Sequence, residues 1–190
     1  MAQLAETADA RREEILDAAM RVFGRYGYRK TSMEDLAAAA AISKQGLYLH
    51  FVGKEDVFLA ALRKYLDDAL AGVDAALTRP GASLHARLLG AMDAWFGRHF
   101  EFFTPDAFDV LEESRRMPGH DDYKSAFRGR LAKALKESGE FRRAGNICTP
   151  RDVAGVLFLC GLSWKEGNAS RAVFRDKMSA CIRACCQIEK

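Results

Sequence analysis

The chain has 190 residues, 49% of them apolar and 29% charged. That is enough for one compact domain, or for a small module joined to a larger one, and it excludes a chain disordered throughout. Lys and Arg number 29 against 26 Asp and Glu, for a net charge of +3, so any attraction to nucleic acid must come from local placement.

Five cysteines, an odd number, lie in the last quarter of the chain. With an N-terminus that carries acids and no apolar run, they predict free thiols in a reducing cytoplasm and no signal peptide. The longest uncharged apolar stretch, residues 153–164, is too short to span a bilayer.

Strand signals are nearly absent, with neither an alternating β-branched run nor an Asn-Gly or Asp-Gly turn. Ile15, Ala19, Val22, Phe23 and Tyr26 form one apolar stripe, which predicts a helix over 9–26 stopped by a left-handed Gly27. Thr31 and Glu34 stand at capping-box spacing before a short helix over 33–40. Another short helix covers 43–50. Gly53 precedes Lys54-Glu55-Asp56, whose acids suit the first turn of a long helix over 54–77, and Pro80-Gly81 ends it. Ser83 caps a helix through Phe103. Thr104-Pro105 opens the next, which Pro118-Gly119 ends. A helix over 121–137 follows. Thr149-Pro150-Arg151-Asp152 opens another, ended by Gly167-Asn168, and Ser170 opens the last. The result is an all-α chain of about nine helices, without internal repeats.

The helices over 33–40 and 43–50 are too close in sequence to continue in line, so they must cross steeply. This is a helix-turn-helix, whose second helix enters the major groove of DNA. Ser43, Lys44, Gln45, Tyr48 and His50 place donors on that second helix, while Ile42, Leu47 and Phe51 can pack inward. Gly46 clears a side chain from the exposed face, as close approach to a DNA backbone requires. Tyr48 also reads as a packed aromatic with a wet hydroxyl. Arg11 and Arg12 form either a minor-groove arm or a solvated helix face. From Arg29 to Lys54 there are four cations against two acids, a local basic footprint.

Thr31-Ser32-Met33-Glu34-Asp35-Leu36-Ala37, then Ile42-Ser43-Lys44-Gln45-Gly46-Leu47-Tyr48-Leu49-His50-Phe51, then Lys54-Glu55-Asp56 resembles the DNA-binding signature of the TetR family of bacterial transcriptional regulators. Ile15 to Ala19 and Phe23 to Tyr28 fit its first helix. The resemblance covers roughly residues 10–60. It implies a DNA-binding domain over 1–53 and a helical effector-binding and dimerisation domain over 54–190. Ser43, Lys44 and Gln45 would face base edges or nearby phosphates, and Tyr48 and His50 the DNA backbone. Lys54 would bind a phosphate beside free backbone N–H groups, and Gly46 would permit close approach. Thr31 would cap the second helix and touch a phosphate. Ala41 stands where the family has a turn glycine, and Gly53 where it often has a stronger cap. The implied function is a homodimeric, ligand-responsive repressor on a palindromic operator, released by a small apolar or aromatic effector; the alternative is a helical small-molecule binding protein without DNA function. No cofactor, metal or membrane partner is expected.

Val153, Val156, Leu157, Cys160 and Trp164, with Val173, Phe174, Met178, Cys181, Ile182 and Cys185, make the last two helices more apolar than a monomer's outer helices need. Paired with symmetry mates they would build a four-helix bundle, as family members do, and these residues should divide between that interface and ordinary core. Met92, Trp95, Phe96, His99, Phe108, Met117, Tyr123 and Phe158 are the candidate wall of an effector pocket, and core packing is the other reading of each. Cys181 and Cys185 share a helix face and read as small buried hydrophobes, or as a thiol or metal sensor. Enzyme readings fail: Gly161-Leu162-Ser163 lacks the second glycine of a nucleophile elbow, and Arg29 replaces a glycine that a phosphate loop over 24–31 would need.

Overall fold

The computed structural model describes residues 2–104, 107–143, 148–166 and 170–186, and every regular element among them is helical. In chain order these are α1 (Ala2–Tyr26), α2 (Met33–Ala39), α3 (Lys44–Tyr48), α4 (Lys54–Leu77) and α5 (Leu84–Met92). A π-helical turn (Asp93–Gly97) leads into α6 (His99–Phe102), then α7 (Phe108–Ser114), α8 (His120–Glu137), α9 (Gly139–Arg143), α10 (Pro150–Glu166) and α11 (Arg171–Cys186). Among the described residues no helix is long and apolar enough to cross a membrane.

Local chemistry sets most boundaries. Gly27 takes a φ of +85° and stops α1. The Ser83 side chain accepts from the Ala86 N–H and opens α5. Thr149 and Asp152 form a reciprocal cap at α10, with N···O distances of 3.1 and 3.2 Å. Several boundaries differ from expectation, beginning with α1, which starts at Ala2 rather than at residue 9. The helix expected over 83–103 is divided by the π-helical turn, and α9 is an additional short helix. Thr104 does not cap α7: its N–H and hydroxyl donate to the Gly24 and Arg25 carbonyls at 2.9 and 3.0 Å, and α7 starts after Ala107 without a side-chain cap. Pro105, Gly167 and Asn168 lie outside the described residues.

The chain forms two compact units. The first holds residues up to Asp67 together with Phe102–His120. Ile15, Leu16, Ala19, Met20 and Phe23 of α1 are buried in it, as are Leu36, Leu47, Phe51, Val57 and Phe58. The Phe23 and Phe58 rings meet edge to face at 5.1 Å. Lys64 holds α4 to α1 through Glu13 and Asp17 at 3.3 and 3.0 Å.

The second unit holds Asp68–Glu101 and the described residues from Asp121 onward. Its core gathers Leu84, Leu88, Met92, Phe96, Phe127, Leu131, Leu157, Phe174, Met178 and Ile182. The π-helical turn carries Asp93, only 8% exposed, whose carboxylate accepts from Arg171 Nε and Nη2 at 3.0 and 2.9 Å and from Arg175. Gly97 makes this possible, since a Cβ there would overlap Asp93 Oδ1. Burial alone would raise the Asp93 carboxyl, but the two guanidiniums outweigh it and hold the group below the usual carboxylate range. The turn thus anchors the start of α11.

Candidate nucleic-acid interface

The turn after α1 is closed from two sides. The Thr31 hydroxyl donates to the Gly27 carbonyl at 2.7 Å, and Thr31 is 3% exposed. The cap of α2 is instead Ser32, one residue later: its side chain accepts from the Asp35 N–H, and the Asp35 carboxylate accepts from the Ser32 N–H at 2.9 Å. This corrects the expected Thr31–Glu34 capping box and the cap role given to Thr31. The reason is geometric: after the left-handed Gly27 the chain must satisfy the Gly27 carbonyl, and Thr31 is spent on it. Glu34 is left unused by the cap.

The turn between α2 and α3 is a Schellman motif. The Ala41 N–H donates to the Ala38 carbonyl at 3.1 Å and the Ile42 N–H to the Ala37 carbonyl at 3.0 Å. Its left-handed residue is Ala41, with φ +53°, so the strain expected for alanine in place of glycine is present. Arg11 Nη2 donates to the Ala40 carbonyl at 2.9 Å and helps hold the turn. Arg12 stands over the Phe51 ring at 5.0 Å. Both arginines therefore serve the fold of this unit. Replacing Ala41 by Gly should raise stability by about 1 kcal/mol, relief of the left-handed strain outweighing the greater freedom of the unfolded chain. Thermal unfolding should show a rise of about 2–4 °C, and a lower midpoint would contradict the strain.

α3 has only five residues and depends on its surroundings. The Ser43 side chain caps it by accepting from the Gly46 N–H at 2.9 Å. Leu47 and Phe51 anchor it in the core. Gly46 is half-buried, and a Cβ there would stand 3.2 Å from Ser43 Oγ, so glycine clears the cap as well as the surface. Ser43, Lys44, Gln45 and His50 are exposed. Tyr48 is 48% exposed. Leu49 and Val52, which the sequence reading did not select, are 83% and 90% exposed on the same stretch. Their signal was the apolar character of residues inside a segment otherwise rich in donors.

Two cations on this face are held within the protein. Lys44 Nζ pairs with the Glu34 carboxylate, a hydrogen bond that holds Glu34 below and Lys44 above its ordinary range. Lys54 Nζ donates to the Tyr28 carbonyl at 3.1 Å and lies 4.6 Å from the Tyr28 ring centroid. Asp109 of α7 was missed entirely. Its carboxylate accepts from the Tyr28 and Arg29 N–H groups at 3.0 and 2.7 Å. Nothing local marks Asp109, since it lies some 80 residues from its partners. A cavity of about 800 Å³ opens between α1 and α2, lined by Glu14, Asp17, Arg21, Arg25, Lys30 and Asp35 among others.

The expected effector residues are divided between the units. Met92, Phe96 and Phe158 are buried in the second unit's core, and Trp95 stacks on Phe127 at 4.7 Å. Tyr123 and His99 are half-buried there, His99 meeting Phe100 edge to face at 6.1 Å. Met117, buried, and Phe108, at the start of α7, belong to the first unit. A cavity of about 460 Å³ in the second unit is lined by Asp74, Arg87, Arg130, Lys133 and their neighbours, and by none of the expected residues. Of the expected dimer residues, Val153, Leu157, Phe174, Met178 and Ile182 are buried within the protomer, where they serve its own core. Val156 is exposed, together with Leu159 and Val173, while Cys160, Trp164, Cys181 and Cys185 are half-buried. Cys181 Sγ lies 3.7 Å from Cys160 Sγ and 3.8 Å from Cys185 Sγ. Burial pushes the Cys181 thiol up and the Cys186 thiol up to about 12, which suits packed thiols. Among the described residues no group of three or more His, Cys, Asp or Glu is arranged to hold a metal.

Comparison with known proteins places residues 15–61 in a match to the family described as bacterial regulatory proteins, tetR family. The chain is similar to the HTH-type transcriptional activator FasR of Mycolicibacterium smegmatis, 39% identical over 88 residues, which cover 46% of this chain and 40% of FasR. The matched stretch thus spans less than half of that relative. The crystal structure of PfmR, a TetR family transcriptional regulator from Thermus thermophilus, superposes with a TM-score of 0.66 at 23% identity, covering 89% of this chain and 97% of PfmR. AibR in complex with isovaleryl coenzyme A and operator DNA superposes with a TM-score of 0.63 at 24% identity, covering 90% of this chain and 96% of AibR. At these identities the likeness establishes the fold.

Proposed function

Because residues 15–61 match the tetR family of bacterial regulatory proteins, we propose that the chain is a cytoplasmic, ligand-responsive repressor of that family that binds a palindromic operator as a homodimer. The observation that carries this reading is α3 with its flanking residues: a capped, core-anchored segment that exposes Ser43, Lys44, Gln45, Tyr48 and His50. Polar side chains at the start of such a rod can reach base edges, and in this reading Tyr48, His50 and Lys54 contact phosphates. One such rod reads few base pairs, so specificity calls for a twofold partner. The exposed apolar residues Val156, Leu159 and Val173 of α10 and α11 support a dimer through those helices.

A functional division at residues 53 and 54 assigns α1–α3 to DNA and the rest to effector and partner. The effector would be small and apolar or aromatic, lodged against the aromatic residues Trp95, Phe96, Phe158 and Tyr123. The AibR complex, which holds an acyl-coenzyme A and operator DNA on the same fold, supports a ligand-responsive reading. α4 contributes residues to both compact units. In this mechanism it moves on effector binding and resets the separation of the two reading rods. Full switching, from 1:99 to 99:1, needs about 10⁴-fold preference of the effector for one state.

The test is a gel shift with the DNA upstream of the protein's own gene. The wild type should shift it at low salt, and Lys44→Ala and Tyr48→Ala should each weaken binding by about 10-fold. A wild-type protein that ignores duplex DNA at low salt overturns the reading.

A further inference from the structure

Lys44 is the sole Lys or Arg between Ile42 and Gly53, so it is the one formal cation of the reading segment. It does not stand free. Its ammonium is bound to the carboxylate of Glu34, ten residues earlier on α2. Both side chains are about half-exposed, 49% and 61%. An exposed pair of this kind contributes little to folding stability. Nor does the local structure need Glu34 for capping, because Ser32 and Asp35 supply that. The carboxylate gains modestly from the N-terminal end of α2, but any acid in that turn would. What the pair does change is the electrostatics of the face that must meet a polyanion. A cation already bonded to a carboxylate releases fewer counterions when a phosphate approaches. The carboxylate itself repels that phosphate.

We propose that Glu34 is a positioning residue that restrains Lys44 and lowers the sequence-independent part of DNA affinity, so that Lys44 is surrendered only where a correctly placed acceptor competes for it. This deepens the reading of α3 as a DNA-reading rod and rests on it. Suppressing non-specific attraction raises the ratio of operator to random binding, the quantity that matters among many competing sites.

The experiment uses the full-length protein and a labelled mixed-sequence duplex of about three helical turns, with binding followed by fluorescence anisotropy between about 50 and 200 mM salt. Glu34→Gln should tighten binding by about 3- to 10-fold at the lowest salt. It should also steepen the dependence of log affinity on log salt by about one for each DNA-bound protomer. In a Lys44→Gln background the same substitution should change neither quantity. A structural effect of Glu34→Gln would move the thermal midpoint but not the salt slope, so both are read. The proposal is overturned by an affinity within twofold of wild type, by weaker binding, or by a Glu34→Gln effect that persists without Lys44, which would mean simple repulsion of phosphate. A wild type that binds no duplex at low salt overturns the DNA reading and this proposal together. A wild type that binds while Glu34→Gln leaves binding unaltered overturns this proposal alone.

Discussion

Gly24→Ala should destabilise the protein by about 2 kcal/mol or more and lower its melting temperature by at least about 4 °C. Helix propensity predicts the opposite sign, since replacing an interior helical glycine by alanine is worth about 1 kcal/mol in favour of folding. Gly24 lies near the end of α1, where the end of α6 crosses it so closely that a Cβ would overlap the Phe102 carbonyl oxygen. The obstacle is backbone, which cannot rotate out of the way. Relief requires moving the 102–104 segment, which carries the Thr104 N–H bond to the Gly24 carbonyl and the Thr104 hydroxyl bond to the Arg25 carbonyl. Each is worth about 1 kcal/mol net. Gly129 on α8 supplies the control, because a Cβ there meets nothing within 4 Å. Gly129→Ala should therefore stabilise by about 0.5–1 kcal/mol. Thermal unfolding of the two variants side by side should move in opposite directions. A Gly24→Ala protein as stable as wild type would mean that the crossing is loose.

Phe127→Ala should cost about 3–5 kcal/mol, the larger of the two effects. Phe127 is fully buried on α8 and sits at the centre of the aromatic cluster of the second unit. The Trp95 ring stacks on it at 4.7 Å with planes 8° apart, Phe96 meets it edge to face at 5.9 Å, and Phe158 lies at 6.1 Å. Truncation removes the transfer free energy of the ring and leaves a cavity that rigid aromatic neighbours cannot collapse into. Denaturant unfolding followed by tryptophan fluorescence checks it, because Trp95 loses its stacking partner directly. Phe127→Leu, which keeps most of the volume, should lose markedly less. Equal losses for Ala and Leu would point to ring stacking rather than cavity formation as the main contribution.

Periodicity and end signals in the sequence alone determined that the chain is helical, where most helices begin and end, and that α2 and α3 form a helix-turn-helix. These depend on residues three or four positions apart, as in the stripe Ile15–Tyr26, the Thr149–Asp152 cap and the left-handed Gly27. The inward anchors Leu47 and Phe51 were legible for the same reason. Where a single residue's role depends on which of two neighbours a free carbonyl selects, the pattern was ambiguous. Thr31 closes the Gly27 turn and Ser32 caps α2, although both stand before the same helix.

Only the tertiary structure decided what long-range packing controls. Asp109 binds the Tyr28 and Arg29 N–H groups across some 80 residues of chain, and no local spacing encodes that. The π-helical turn is set by Asp93 meeting Arg171 and Arg175 of α11, contacts that periodicity along one helix does not register. Apolar residues of α10 and α11 looked alike in sequence, yet Leu157 is buried in its own protomer and Val156 is exposed. A helical stripe states only that a face is covered, and the neighbour that covers it is chosen when the helices pack.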